Sequence, residues 1–303
     1  MTRRPEAHPR SASGGHEAQA RENPLARENP PACETRCAGP PRAVTLVGTV
    51  RRKGAAVSTF VLLPGAGSDS WYWHRVVPML EGRGHDALAV DLPYADDNEN
   101  QDSYADFVVA ALGDAPRPLV VVAQSMSAFT AVRIAERCAV DELVLVAPMI
   151  PAPGESPAQW WGDVGHEDAQ REQAVADGRD PDAPLDIREL FFHDIPDAVT
   201  EEAFAHEETR LSDAAFEPAW DAERWPDVPV RVVAGRRDRL FPLPFLTALS
   251  RARTGVEPVV VDSGHLVALA RPSELVDILL GVQTHGVSGG APPGRGDAPR
   301  GPR

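Results

Sequence analysis

Val120-Val121-Val122-Ala123-Gln124-Ser125-Met126-Ser127-Ala128 is the stretch on which the reading of this chain turns. Its first four residues are continuously apolar and mostly β-branched, the pattern of a short strand buried on both faces. From Met126 to Arg137 the apolar spacing becomes helical. Ser125 therefore falls on a sharp strand-to-helix turn. A serine there is strained, and its hydroxyl projects beyond the edge of the sheet. The residues two before and two after it must be small, because strand and helix backbones pass close together. Glycine is the usual choice at both; here they are Ala123 and Ser127. Taken alone, the pentad fits a helix-capping serine equally well.

A serine nucleophile is weak at neutral pH and needs a base, and the base needs an acid to fix its tautomer. Two residues meet that need. Asp238 follows the strand pattern Val230–Ala234 through Gly235-Arg236-Arg237, and His265 follows Glu257–Val261 through Asp262-Ser263-Gly264. Both thus sit just past a strand's carboxyl end, where open α/β sheets place their sites. Singly, an Asp there is often a turn former, and a lone His is often a structural hydrogen-bonder. A developing oxyanion also needs two preorganised donors. The backbone N–H of Met126, at a helix start, is one. The N–H of Ala66, in Pro64-Gly65-Ala66-Gly67, is the other. That loop also reads as a glycine-rich turn, but a phosphate loop would need a Lys-Ser/Thr after the glycines, and none is present.

Outward from these residues, short apolar runs alternate with amphipathic segments, the signature of a mostly parallel sheet with crossover helices. Strands are expected at Ala43–Arg51, Ala56–Leu63, Asp86–Val90, Leu119–Ala123, Leu143–Ala147, Val230–Ala234 and Glu257–Val261. Helices are expected at Trp71–Glu81, Ser103–Leu112, Met126–Arg137, Phe245–Arg253 and Pro272–Leu280. Pro151 to Trp225 carries helical patterns and no strand, so residues 151–225 read as a helical cap inserted before the acid-bearing strand. Residues 1–42 and 284–303 are polar and Pro/Gly-rich and are expected to be disordered, leaving one folded domain at 43–283.

The net charge of −15 opposes a nucleic-acid partner and gives no support for an anionic membrane surface. No apolar run is long enough to span a bilayer, and no apolar stretch follows Arg3-Arg4 as a signal peptide requires. Cys33, Cys37 and Cys138 lack the spacing of a metal site and read as reduced thiols, so a cytoplasmic protein is expected. His206, Glu207 and Glu208 read as a solvated helix face rather than a metal site.

Several motifs occur in register over residues 58–281: Pro64-Gly65-Ala66-Gly67, Trp71-Tyr72-Trp73 with Val77-Pro78-Met79-Leu80, Gly84-His85-Asp86, Val90-Asp91-Leu92-Pro93, the Ser125 turn and Gly264-His265-Leu266. Together they resemble the α/β-hydrolase branch that holds plant methylesterases, hydroxynitrile lyases and bacterial pyrethroid-type carboxylesterases. The resemblance implies an α/β-hydrolase fold, a mostly parallel central sheet flanked by helices. It also implies the chain order Ser125, Asp238, His265 for the catalytic triad. The sequence departs from the branch at Pro64, where histidine is usual. The branch's lyases carry a lysine directly after the catalytic histidine; here Leu266 stands there and the only lysine is Lys53, which disfavours the lyase reaction. A serine in place of an aspartate nucleophile argues against dehalogenase and epoxide-hydrolase chemistry.

The expected activity is hydrolysis of a small, largely apolar carboxylic ester through an acyl-enzyme, with no cofactor and no metal. Gly65, Trp71, Trp161, Phe192, Leu240 and Phe241 are the expected pocket residues, although many of the aromatic side chains also read as glue between cap and core. Acyl transfer, cofactor-free perhydrolysis and a non-catalytic ligand receptor remain as rivals. Whether the protein is a monomer or a homodimer is left open by the sequence.

Overall fold

The computed structural model describes residues 57–206 and 209–282. The strand expected at Ala43–Arg51, both tails, Lys53, Cys33, Cys37, Glu207 and Glu208 lie outside the described residues. Among the described residues there are six strands: β1 (Thr59–Leu63), β2 (Asp86–Ala89), β3 (Leu119–Gln124), β4 (Glu142–Val146), β5 (Val230–Gly235) and β6 (Val259–Val261). They form one sheet in the order β2-β1-β3-β4-β5-β6. Every neighbouring pair is parallel. All carboxyl ends therefore emerge on one edge.

The central strands are apolar at nearly every position because helices cover both faces. Alternate residues feed opposite layers. Val61, Leu63, Val121, Ala123, Leu143 and Leu145 face one hydrophobic cluster. Phe60, Leu62, Val120, Val122, Val144 and Val146 face the other. The first layer holds the helices Gln101–Leu112 and Ala128–Arg137; the second holds Pro272–Leu279.

Element boundaries differ from expectation for identifiable reasons. The helix expected over Trp71–Glu81 is split into a 3-10 turn, Ser70–Trp73, and a helix, Val77–Gly82. Pro78 has no N–H to give to the preceding turn, so the helix restarts there. The helix expected from Ser103 begins at Gln101, because Asn100 accepts from the N–H groups of Asp102 and Ser103 as an N-cap. β6 is shorter than expected, since Pro258 cannot donate to the ladder.

Between β4 and β5 lie the helices Pro157–Asp163, His166–Ala176, Ile187–Phe191 and Asp197–Ala205, a 3-10 turn at Asp213–Phe216, and no strand among the described residues. Buried polar contacts fasten this segment. Arg253 donates to Glu155 at 2.8 Å, and the indole of Trp220 donates to Glu136 at 3.0 Å. Arg133, fully buried, donates to the Pro218 carbonyl at 3.0 Å. No helix among the described residues is long and apolar enough to cross a membrane.

The packing generates a direct test. Leu145 is fully buried in the middle of the sheet, so Leu145→Ala should cost about 2–5 kcal/mol of stability in urea denaturation. A cost below about 1 kcal/mol would mean that this layer is not close-packed.

Candidate active site

Ser125 follows β3 directly, Asp238 stands three residues past β5, and His265 stands four past β6. All three side chains are therefore delivered to the same edge of the sheet by strands of one direction.

Ser125 has φ +54°, in the left-handed region. For a residue with a Cβ this costs about 1–3 kcal/mol. Packing enforces it: Ala123 and Ser127 are fully buried, and the Met149 N–H holds the Ser125 carbonyl at 3.1 Å. The N–H of Met126 opens the 3-10 turn Ser125–Ser127, ahead of the helix Ala128–Arg137, where no preceding turn supplies a carbonyl for it.

The loop after β1 is pressed against this turn. A Cβ on Gly65 would lie 1.9 Å from Gln124 Oε1 and 3.2 Å from Ser125 Cβ, so a larger residue would displace the Gln124 side chain. Ser68 donates back to the Gly65 carbonyl at 3.2 Å, and Gly67 has φ +70°. This closes a four-residue turn with the positive-φ residue in third place. Ala66 occupies the second place, where the turn's own hydrogen bond leaves the N–H unused.

Asp238 and His265 are joined: Nδ1 of the imidazole donates to Asp238 Oδ2 at 2.9 Å. The other carboxylate oxygen accepts from the N–H groups of Leu240 and Phe241, both at 2.9 Å. A carboxylate so placed can only accept. Nδ1 therefore carries the hydrogen, and Nε2 keeps its lone pair. Phe241 and Phe191 stand edge-on to the imidazole, with ring centroids at 5.0 and 5.5 Å. Among the described residues the Ser125 hydroxyl makes no hydrogen bond to that ring. Such contacts are often long in unliganded enzymes and tighten when substrate binds.

The two loops that carry the acid and the histidine touch through their backbones. A Cβ on Gly235 would lie 2.4 Å from the Gly264 carbonyl oxygen and 2.6 Å from that of Ser263. From the cap, Asp194, whose side chain is buried, accepts the Gly264 N–H at 2.7 Å. His166 contributes from the same segment. Its Nε2 lies 2.8 Å from the Leu240 carbonyl, and burial lowers its pKa, so it is a neutral donor there. Sequence reasoning missed Asp194 and His166. Their cap segment carries no strand end and no motif, and only the folded chain brings them to His265.

The expected pocket residues divide. Phe241 is against His265, and Trp161 contacts Phe241 with centroids 6.0 Å apart. Leu240 is buried beside the acid. Gly65 is against Ser125. Phe192 instead packs on Phe204, and Trp71 lies between His74 and His206. His206 bonds Asp69 at 2.8 Å.

A sequence profile of the alpha/beta hydrolase family matches residues 60–278. The chain belongs to that family. No curated protein matches it significantly, but many solved structures share its fold. Polyneuridine aldehyde esterase superposes with a TM-score of 0.60 at 20% identity, covering 75% of this chain and 99% of the esterase. A pyrethroid hydrolase from Sphingobium faniae gives 0.58 at 17% identity, covering 74% and 96%. A methylesterase from Arabidopsis gives 0.55 at 20%, covering 74% and 98%. These are the kinds of protein that the sequence motifs resemble; at such identities the likeness establishes this hydrolase's fold.

The contact between the two loops can be tested on this alpha/beta hydrolase. Gly235→Ala forces a methyl against backbone oxygens that no side-chain rotation can move aside, and should cost about 1–3 kcal/mol or more in chemical denaturation. An unchanged midpoint would contradict the close approach.

Proposed function

We propose that this protein is a serine esterase that hydrolyses carboxylic esters with an apolar acyl or alcohol part. The observation that carries the reading is the Asp238–His265 hydrogen bond. It commits Nδ1 to the carboxylate and leaves Nε2 as the basic nitrogen, on the sheet edge that also bears the strained Ser125.

In this reading His265 Nε2 takes the Ser125 proton as Oγ attacks the ester carbonyl carbon. The tetrahedral oxyanion accepts from the N–H groups of Ala66 and Met126. Collapse breaks the bond to the alcohol oxygen, which leaves with the proton from His265, and an acyl-Ser125 ester remains. Water then attacks that ester and gives its proton to His265. The second collapse releases the carboxylic acid and returns the proton to Ser125. Asp238 stays ionised throughout and stabilises the imidazolium. Phe191 and Phe241, the rings that flank His265, support the apolar preference, because charged or sugar-like groups would lose their hydration against them without replacement.

Wild-type protein should turn over p-nitrophenyl esters of medium chain length and react with a fluorophosphonate probe. Ser125→Ala should lose labelling and about 10⁴-fold or more in kcat, while still folding. Asp238→Asn should lose about 10⁴-fold by presenting the wrong tautomer. Labelling that persists in Ser125→Ala would reassign the nucleophile. A wild type that is neither labelled nor active on any ester of the panel would make the chain a receptor instead. Product analysis with water, alcohol and peroxide in competition separates hydrolysis from acyl transfer and perhydrolysis.

A further inference from the structure

Two buried hydroxyls meet on one carbonyl oxygen beside the site. Tyr94 Oη lies 3.0 Å from the Pro64 carbonyl oxygen and 2.9 Å from Ser127 Oγ. Ser127 Oγ donates to the same carbonyl. Both side chains are fully buried, and burial pushes the Tyr94 phenol far above its usual pKa, so it remains a protonated donor. Three separate segments converge here. Pro64 begins the loop after β1, Tyr94 lies in the loop after β2, and Ser127 ends the 3-10 turn that starts at Ser125.

Pro64 O belongs to the peptide that leads into Gly65, and Gly65 has no clearance against Gln124 and Ser125. The plane of that peptide is thus held at its oxygen by the two hydroxyls. The next peptide carries the Ala66 N–H. Ser127 is also the position where this kind of turn ordinarily has glycine, and a glycine would leave Tyr94 alone on the carbonyl.

We propose that Tyr94 and Ser127 are positioning residues that set the direction of the Ala66 N–H toward the developing oxyanion. The inference rests on the esterase reading. Neither residue touches substrate. Each acts through the Pro64 carbonyl, so its effect appears where charge develops on the substrate oxygen and not where the ground-state ester binds.

The test compares wild type, Tyr94→Phe, Ser127→Ala and the double variant on p-nitrophenyl butyrate, with a trifluoromethyl ketone as a mimic of the tetrahedral oxyanion and butyrate as a ground-state ligand. Each single variant should lose on the order of tenfold in kcat, and the double variant should lose less than the product of the two, because both hydroxyls act on one carbonyl. KM and the butyrate constant should stay within about twofold, and ketone affinity should fall in parallel with kcat/KM. If Ser127 variants fail to fold, Tyr94→Phe, which removes a single oxygen, decides the matter. Wild-type kcat in the variants, or a loss shared equally by KM and butyrate binding, overturns the inference while the esterase reading stands. A wild type without turnover or labelling overturns both.

Discussion

Asp238 is a buried carboxylate, and a buried charge is tolerated only when its lone pairs are taken by donors. Three N–H groups do this: two from the backbone of Leu240 and Phe241, and one from the imidazole of His265. The first two fix the carboxylate to its own loop, so its orientation does not depend on the histidine. The third then fixes the histidine to the carboxylate. The order of dependence runs from the β5 strand end to the acid, from the acid to the imidazole tautomer, and from there to a nitrogen able to accept a proton. Around this chain of contacts the surroundings are apolar, with Phe191 and Phe241 against the ring, which makes each polar contact stronger than it would be in water.

Close backbone approach is the second constraint. Gly65 lies against Gln124 and Ser125, and Gly235 lies against Ser263 and Gly264. At Gly235 a single methyl would push apart loops that must stay in register at the sheet edge, and at Gly65 it would displace the Gln124 side chain. The left-handed Ser125 answers to the same shortage of space. Its turn is narrow because Ala123 and Ser127 are small, and its strain is held by the buried strand on one side and the helix Ala128–Arg137 on the other.

The helical segment between β4 and β5 contributes to the site as well as covering the core. Asp194 accepts from the backbone of Gly264, next to His265, and His166 donates to the carbonyl of Leu240, two residues past Asp238. The His166 contact is buried and the Asp194 contact partly so, and both reach the loops that carry the acid and the imidazole. A displacement of this segment would therefore reach the histidine through defined hydrogen bonds rather than through general loosening.

The sequence by itself determined the layers and the strand ends. Continuous β-branched runs such as Leu119–Ala123 have one stable environment, a sheet covered on both faces, and the small residues around Ser125 admit only a tight turn. Those are local facts of spacing and side-chain shape, and so the positions of Ser125, Asp238 and His265 past strands could be read directly. Boundaries shifted where a single residue intervened: Asn100 as a cap, Pro78 as a break and Pro258 as a missing donor. Tertiary structure alone decided which distant groups meet. Asp194 on Gly264, His166 on Leu240, and Tyr94 with Ser127 on Pro64 join residues that share no period and no motif. It also decided that Phe241 faces the imidazole while Phe192 faces Phe204. Periodicity fixes which side of an element is apolar. Which partner that side finds depends on how the whole chain closes around the sheet.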